Sequence, residues 1–379
     1  MMPKRKEPTK YQQLIHQLSE ELVAAQKPIR ILNSIKWGPE IQADFFKHKM
    51  KELPKVNADY YLESDLSFDI DEKRREFFRL ERQIQNQLGQ FSVAGKLMIK
   101  LCQEYRSVIN MLKYRGTPDF ALYSSDLYGS ASDVFYANGP SLSTLADTLH
   151  ETLSKINTQK TLDEKKYASD EAIKYLNAKL KKHFHDPNEP VHVIEDDGIV
   201  ADAAAGADTI KIRKGAMLSE RELRILEVHE GWVHVSTTLN GRSQPYCTFL
   251  SKGAPSTTIF QEGLAVLVEI LSFSSHPNRI RNITNRIKGI EMAENGADFL
   301  EVFRFFCDQD YEPEHAYKAS VRVFRGSTPT LGPFTKDLAY SKGFMMIYNY
   351  LRLAIAEGRF DRIPLLFIGK TSLENIADY

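Results

Sequence analysis

Hydrophobic residues recur with the spacing of an α-helix through most of the first half of the chain. Four segments show this pattern: residues 11–26, 75–89, 93–116 and 141–156. In the first of them, Leu14, Leu18 and Leu22 form one apolar stripe. We therefore predict a flexible basic tail and a first helix over residues 1–25, followed by a helical lobe over residues 26–160.

The pattern changes in the second half of the chain. Two short runs, residues 191–196 and 209–215, have the composition of β-strands. A helix is then predicted after Ser219, because Ser219 and Glu222 fit the two positions of a capping box. The sequence thus predicts an α+β protein, mostly helical with a small sheet. Residues 161–379 would form a second lobe, or join the first lobe in one compact domain.

The composition is that of an ordinary globular protein, since 42% of the 379 residues are hydrophobic and 26% are charged. The 50 basic and 50 acidic side chains cancel, so no overall field attracts nucleic acid or a membrane, and we expect neither as a partner. Three scattered cysteines indicate a reducing compartment rather than a disulfide framework. No apolar run approaches the roughly 20 residues of a membrane helix. A cytoplasmic location is therefore expected.

Candidate chemistry begins with the motif "HEGWVH", in which His229 and His234 are five positions apart and Glu230 follows the first histidine. His229 falls on the apolar, inward-facing stripe of the predicted helix. On an ideal helix His234 would lie ~140° around the axis from His229, too far for both to hold one ion. A π-bulge would bring them onto one face, and Gly231 would lower the cost of that distortion. Otherwise the helix must end there.

The next predicted helix, "TTIFQEGLAVLVEILSF", is apolar or small at nearly every position but carries Glu262 and Glu269 on one face. Thr257 or Thr258 could cap its start. An ionised carboxylate in such a place costs on the order of several kcal/mol unless it is paired or bound to a metal. Glu262 could therefore share a metal with the two histidines, or pair with a buried arginine or lysine. Glu269 could orient a ligand histidine, or form a plain buried ion pair.

Two imidazoles and one carboxylate are the protein ligands of many catalytic zinc sites, because three ligands leave a fourth position for water. We therefore predict that His229, His234 and Glu262 bind Zn²⁺. Glu230, beside the first ligand, would be the general base that takes a proton from the attacking water. The alternative is that both histidines are core residues without a metal.

The motifs "HEGWVH" and "QEGLA" together resemble the flavohaemoglobin expression-modulating QEGLA-motif family, which is related to the microtubule-associated tyrosine carboxypeptidase. The segments "GADTIKIRKG" and "FTKDLAYSKG" are also similar to that family, and the resemblance covers about residues 110–370. It implies a zinc-peptidase-like fold with a small sheet beside an HExxxH helix and a QEGLA helix. It also implies a zinc metallocarboxypeptidase, with His229, His234 and Glu262 as ligands and Glu230 as the base.

A carboxypeptidase needs a cation for the terminal carboxylate of its substrate and a donor for the oxyanion formed during hydrolysis. Residues 320–343 offer candidates for both around a Gly/Pro-rich loop. We predict that Arg322, Arg325 or Lys336 binds the carboxylate, for which arginine is especially suited. Tyr340 is the predicted oxyanion donor. The alternative is that these residues are helix-surface charges and a core tyrosine.

The predicted function is zinc-dependent removal of a C-terminal residue, for example tyrosine or another aromatic, from a peptide or protein tail. One alternative is a non-catalytic regulatory protein that binds a partner through the same cleft. A closed fourth position on the metal, or no metal at all, would favour that alternative. A zinc amidohydrolase acting on a non-peptide amide would share the machinery and differ only in its pocket.

Overall fold

The computed structural model describes residues 7–64, 66–155, 164–184, 191–197, 203–205 and 209–378. This part of the chain is mostly helical with a small amount of β-sheet, which confirms the predicted α+β class. Residues 1–6 of the predicted basic tail lie outside the described residues.

The α-helices are α1 (Lys10–Gln26), α2 (Ile31–Ser34), α3 (Pro39–Lys47), α4 (Ala58–Leu62), α5 (Ile70–Leu88), α6 (Val93–Lys113), α7 (Pro118–Tyr128), α8 (Leu142–Ser154), α9 (Ser169–Leu180), α10 (Glu220–Leu226), α11 (Ser236–Arg242), α12 (Pro255–Leu271), α13 (Pro277–Glu294), α14 (Phe299–Asp308), α15 (Pro313–Phe324) and α16 (Ala339–Ala356). A π-helical segment, Glu227–Val235, joins α10 to α11. Short 3₁₀ helices cover Thr248–Ser251, Thr335–Leu338, Phe360–Arg362, Pro364–Phe367 and Leu373–Asp378. The strands are β1 (Tyr167–Ala168), β2 (His192–Asp196), β3 (Ala203–Ala205), β4 (Thr209–Arg213) and β5 (Met217–Leu218).

The four segments with helical spacing form α1, α5, α6 and α8, as predicted. Thr9, Ser92 and Ser141 cap α1, α6 and α8, each through a side-chain oxygen that accepts a backbone N–H. Helix α5 ends at Leu88 and is followed by Gly89, whose φ of 75° is a conformation that glycine adopts without strain. The predicted apolar stripe of α1 faces the interior, where Leu18 is fully buried.

Strand β4 is the centre of a three-stranded sheet, with β2 parallel on one side and β3 antiparallel on the other. Ile210 and Ile212 of β4 are fully buried and pack with Val193 of β2 against α9. Both predicted strands are therefore present. Ser219, directly after β5, caps α10, and the Glu222 carboxylate accepts the Ser219 N–H in the predicted capping box.

Two hydrophobic cores combine residues from both halves of the chain. One packs α1, α5 and α6 against Phe249, Leu250 and Phe334, and the other packs α3 against α13, α14 and α15. The predicted lobe boundary at residue 160 falls within residues 156–163, outside the described residues, so the division into lobes stays a prediction. Across the described ranges, every helix is too short or too polar to span a bilayer.

The start of α12 differs from the prediction that Thr257 or Thr258 caps it. The helix begins at Pro255, whose missing N–H needs no partner at this position. The backbone N–H and the hydroxyl of Ser256 both donate to the carboxylate of Glu104 on α6. The threonine prediction is wrong because the capping group comes from a distant part of the chain.

Helices α12 and α16 cross in backbone contact. A Cβ added at Gly263 would lie 2.0 Å from the carbonyl carbon of Gly343, and one added at Gly343 would lie 1.9 Å from the carbonyl oxygen of Ile259. Only glycine therefore fits at either position. The close crossing holds Glu262 on α12 near Lys336, which lies just before α16.

Candidate metal centre

The segment that carries both histidines is π-helical from Glu227 to Val235. A π-helix has hydrogen bonds from residue i to i+5, so residues five apart lie on the same face. The ring centroids of His229 and His234 are accordingly 4.8 Å apart. The predicted π-type distortion is confirmed, although it covers nine residues rather than a single bulge.

Close packing and side-chain hydrogen bonds support the π-helical segment. A Cβ on Gly231 would lie 2.5 Å from Leu180 Cδ2, so steric crowding favours glycine at this position. Its backbone conformation does not require glycine, because its φ is not positive. The carbonyl oxygen of His234 accepts hydrogen bonds from Thr238 Oγ1 and Lys370 Nζ, each at 2.9 Å. Gln261 Oε1 accepts from the same Lys370 Nζ, also at 2.9 Å. These contacts tie the second histidine to the QEGLA helix and to the C-terminal segment.

Glu262 meets both histidines with one carboxylate oxygen. Its Oε2 atom is 3.3 Å from His229 Nε2 and 3.6 Å from His234 Nε2. One ligand atom from each of the three residues lies within 4.8 Å of the others. Tetrahedral zinc ligands at about 2.0–2.1 Å from the ion are about 3.3 Å apart, so this donor set fits a single metal ion.

Glu269 supports His229 from the side opposite to Glu262. The His229 Nδ1 atom lies 2.6 Å from Glu269 Oε1 and must carry the proton, because the ionised carboxylate can only accept. Arg279 donates two hydrogen bonds to the same carboxylate, at 2.9 and 3.1 Å. Glu269 therefore forms the buried ion pair that was one of its two predicted roles and also holds the His229 ring, while the other predicted role, the orientation of a metal ligand, stays a prediction. The arrangement directs His229 Nε2 towards Glu262, as an outer hydrogen bond to a metal ligand does.

The protein groups alone keep this site charged. Burial lowers the pKa of His229, but hydrogen bonds with Glu262 and Glu269 outweigh it and raise that pKa to about 10. Burial raises the pKa of Glu262, but the charge of Lys336 and the histidine hydrogen bonds hold it well below its usual value. The pKa of Glu269 falls to about 2, because the Arg279 charge and the bond with His229 outweigh burial. A metal ion would replace the proton that His229 Nε2 otherwise holds.

Glu230 lies directly beside the candidate ligands and is half-buried. Its negative charge contributes to the raised pKa of His229. Among the described residues, no hydrogen bond or salt bridge engages its carboxylate. Its role as the general base stays a prediction.

Lys336 and Tyr340 lie at the same site. Lys336 Nζ is 3.3 Å from Glu262 Oε1, the carboxylate oxygen that does not face the histidines. The Tyr340 ring centroid is 6.3 Å from that of His229, and Lys336 Nζ is 5.9 Å from the Tyr340 ring centroid. The structure thus brings the predicted oxyanion donor and one predicted carboxylate binder next to the candidate ligands.

Arg322 and Arg325 are held by other protein groups. Arg322 donates from Nε and Nη2 to the two oxygens of Asp337, at 2.6 and 2.8 Å. Arg325 is only 8% exposed, and its guanidinium carbon lies 5.5 Å from the ring centroid of Phe334. Neither is an exposed surface charge. Their predicted role in substrate binding stays a prediction.

The sequence model of the microtubule-associated tyrosine carboxypeptidase family matches residues 43–378. The chain belongs to this family. The relation inferred from the two motifs is thereby confirmed, and the match begins well before the expected start near residue 110. A comparison with curated proteins finds no match.

Several residues that build the centre in this member of the tyrosine carboxypeptidase family were missed by sequence reasoning. Arg279, Arg286 and Lys370 lie outside both motifs, and no local spacing marks them. The glutamine of QEGLA did carry a signal, since Gln261 is a large polar residue in an apolar helix. Its Oε1 accepts hydrogen bonds from Thr237 and Lys370, so it links α12 to the π-helical side of the site.

Proposed function

We propose that this chain is a zinc-dependent metallocarboxypeptidase that removes one C-terminal residue from a peptide or protein tail. The observation that carries the proposal is the convergence of His229 Nε2, His234 Nε2 and Glu262 Oε2 on one small volume. The family to which the chain belongs is described as a tyrosine carboxypeptidase. We accordingly infer that the removed residue is tyrosine or another aromatic, and that the enzyme works in the cytoplasm.

The three candidate ligands favour zinc over calcium or magnesium, because those ions prefer oxygen ligands alone. Two imidazoles and one carboxylate also leave a fourth coordination position open. Zinc bound there would lower the pKa of a water ligand to about 7 and polarise the substrate carbonyl. The Glu269–Arg279 pair would keep the His229 ring oriented for binding.

The reaction itself is assigned to protein groups beside the ligands. Glu230 takes a proton from the water that attacks the scissile carbonyl, and it then passes the proton to the nitrogen of the leaving residue. Tyr340 donates a hydrogen bond to the oxyanion of the tetrahedral intermediate. Lys336, which contacts Glu262, adds positive charge on the same side of the site.

The test is a Glu230→Gln variant, because glutamine keeps the size of the side chain but cannot accept the proton. We expect it to retain zinc and to lose roughly 100- to 10,000-fold in kcat, the usual contribution of a general base. The assay follows release of the last residue from peptides that differ only at that residue. Glu220→Gln is a matched control, since Glu220 is exposed in the first turn of α10. Unchanged turnover in Glu230→Gln would refute the mechanism, and a zinc-loaded wild type without turnover would leave the regulatory alternative.

A further inference from the structure

Positive charge exceeds negative charge beside Tyr340. Five cationic side chains belong to this region, which we call the arginine cluster: Arg279, Arg286, Arg322, Arg325 and Lys336. Three of them have a carboxylate partner, since Arg279 contacts Glu269, Arg322 contacts Asp337 and Lys336 contacts Glu262. Arg286 and Arg325 remain without a carboxylate at hydrogen-bond distance in the described part of the chain. Partly buried, uncompensated cations of this kind favour the binding of an anion.

Arg286 has the free donor. Its Nε atom is 3.9 Å from Asp337 Oδ2, which is beyond hydrogen-bond distance. Its Nη1 atom is buried and has no hydrogen-bond partner among the described residues. A buried charged donor without an acceptor is costly, so the site is more stable when an oxygen atom of a ligand accepts from it.

Position separates Arg286 from Arg325. The guanidinium carbon of Arg286 lies 5.0 Å from the Tyr340 ring centroid, and that ring lies 6.3 Å from the ring of His229. Arg325 instead packs over Phe334 in a hydrophobic core formed with α1, α5 and α6. Of these two described arginines, Arg286 is therefore the one that combines an unpartnered donor with a place beside the candidate metal ligands.

We propose that Arg286 binds the α-carboxylate of the substrate's last residue, and that the Arg322–Asp337 pair is a positioning pair beside it. This inference rests on the proposed carboxypeptidase function. It assigns to a residue of α13 the role for which the sequence suggested Arg322, Arg325 or Lys336. An arginine suits the role because its planar donors match the two oxygens of a carboxylate. Lys336 is less suited, since Glu262 already engages its ammonium group.

The experiment measures binding rather than turnover. The probes are peptides without charged side chains that end in tyrosine or phenylalanine and carry an uncharged coumarin label at the N-terminus, each prepared with a free C-terminal carboxylate and with a C-terminal amide. The zinc-loaded Glu230→Gln protein prevents hydrolysis during the titration. We expect the acid to bind roughly 10- to 100-fold more tightly than the amide, the usual worth of a hydrogen-bonded charge pair. In an added Arg286→Met substitution, the acid and the amide should bind equally. An unchanged preference in Arg286→Met, or no preference with Arg286 intact, overturns the proposal.

Two further variants guard against a folding effect. Arg304→Met makes the same substitution on the exposed face of α14 and should keep the full preference for the acid. Arg286→Lys keeps the charge but not the planar pair of donors, so the preference should fall only partly. If Arg286→Met does not fold and Arg286→Lys keeps the full preference for the acid over the amide, that result also counts against the proposal.

The two proposals fail in different ways. If wild-type protein binds the acid through Arg286 but hydrolyses no peptide, the carboxypeptidase function fails and the anion site stands. If wild-type protein hydrolyses peptides and Arg286→Met retains the acid preference, the function stands and the role of Arg286 fails.

Discussion

Replacing Glu269 by glutamine removes the charge from a fully buried side chain that joins Arg279 to the His229 imidazole. Glutamine has nearly the same volume, so no cavity forms and the effect reports the lost charge. The amide oxygen can still accept from His229 Nδ1, but the ring loses the carboxylate that strengthens its basicity. We expect the Kd for zinc to rise roughly 10- to 100-fold, which corresponds to about 1.4–2.7 kcal/mol.

The same substitution leaves Arg279 without its partner. Breaking a buried ion pair costs about 3–5 kcal/mol, and we expect the lower end because the Arg279 side chain is 20% exposed. Zinc affinity is measured by competition with a chromophoric chelator, and the free energy of unfolding by urea titration with excess chelator. Glu291→Gln is the matched control, because Glu291 forms a half-exposed pair with Lys288 that is worth about 0–1 kcal/mol. Zinc affinity and stability both equal to those of wild type would refute the role of Glu269.

Three other expectations follow from the same contacts. Because the pKa of His229 is raised to about 10, the ring is protonated at neutral pH when no metal is bound. Zinc binding should therefore release a proton, and zinc affinity should rise with pH up to about 10. Calorimetry in two buffers of different ionisation enthalpy measures the number of protons released. Gly263→Ala should destabilise the protein by about 1–3 kcal/mol or more in urea unfolding, because its Cβ would lie 2.0 Å from the Gly343 backbone. A variant as stable as wild type would contradict the close crossing of α12 and α16. Lys370→Met should cost about 1–3 kcal/mol and weaken zinc binding, since it removes the charged donor from the His234 carbonyl and from Gln261 Oε1, which then keep Thr238 and Thr237 as side-chain donors. An unchanged zinc Kd would exclude a link to His234.

The features that could be predicted from the sequence are those with a local pattern. Apolar periodicity and capping residues located α1, α5, α6 and α8, and β-strand composition located β2 and β4. The two histidines and Glu262 were found because polar residues stand out in apolar segments, and their spacing left few geometries that could unite them. A π-type distortion was one of the two geometries that the spacing left open, since hydrogen bonds from residue i to i+5 bring residues five apart onto one face.

The remaining features depend on contacts between distant parts of the chain. Glu104 caps α12 from α6, and Lys370 reaches His234 from the C-terminal segment, so neither role leaves a local signal. Arg286 looks like any arginine on an amphipathic helix until its neighbours are known. Arg322 shows the converse: its sequence context suggested that it binds the substrate carboxylate, and only the fold reveals that its guanidinium already donates two hydrogen bonds to Asp337.

We infer that His229, His234 and Glu262 together bind one zinc ion with an open coordination position. X-ray absorption at the zinc edge, on protein purified and dialysed with zinc, identifies the ligands of that ion. We expect one zinc per chain with two imidazole nitrogens and one carboxylate oxygen at about 2.0–2.2 Å, plus an exchangeable water. We also expect zinc to be lost from a His234→Ala, Glu262→Gln double variant. A protein that retains no zinc, or a zinc ion closed by four protein ligands, would contradict this inference.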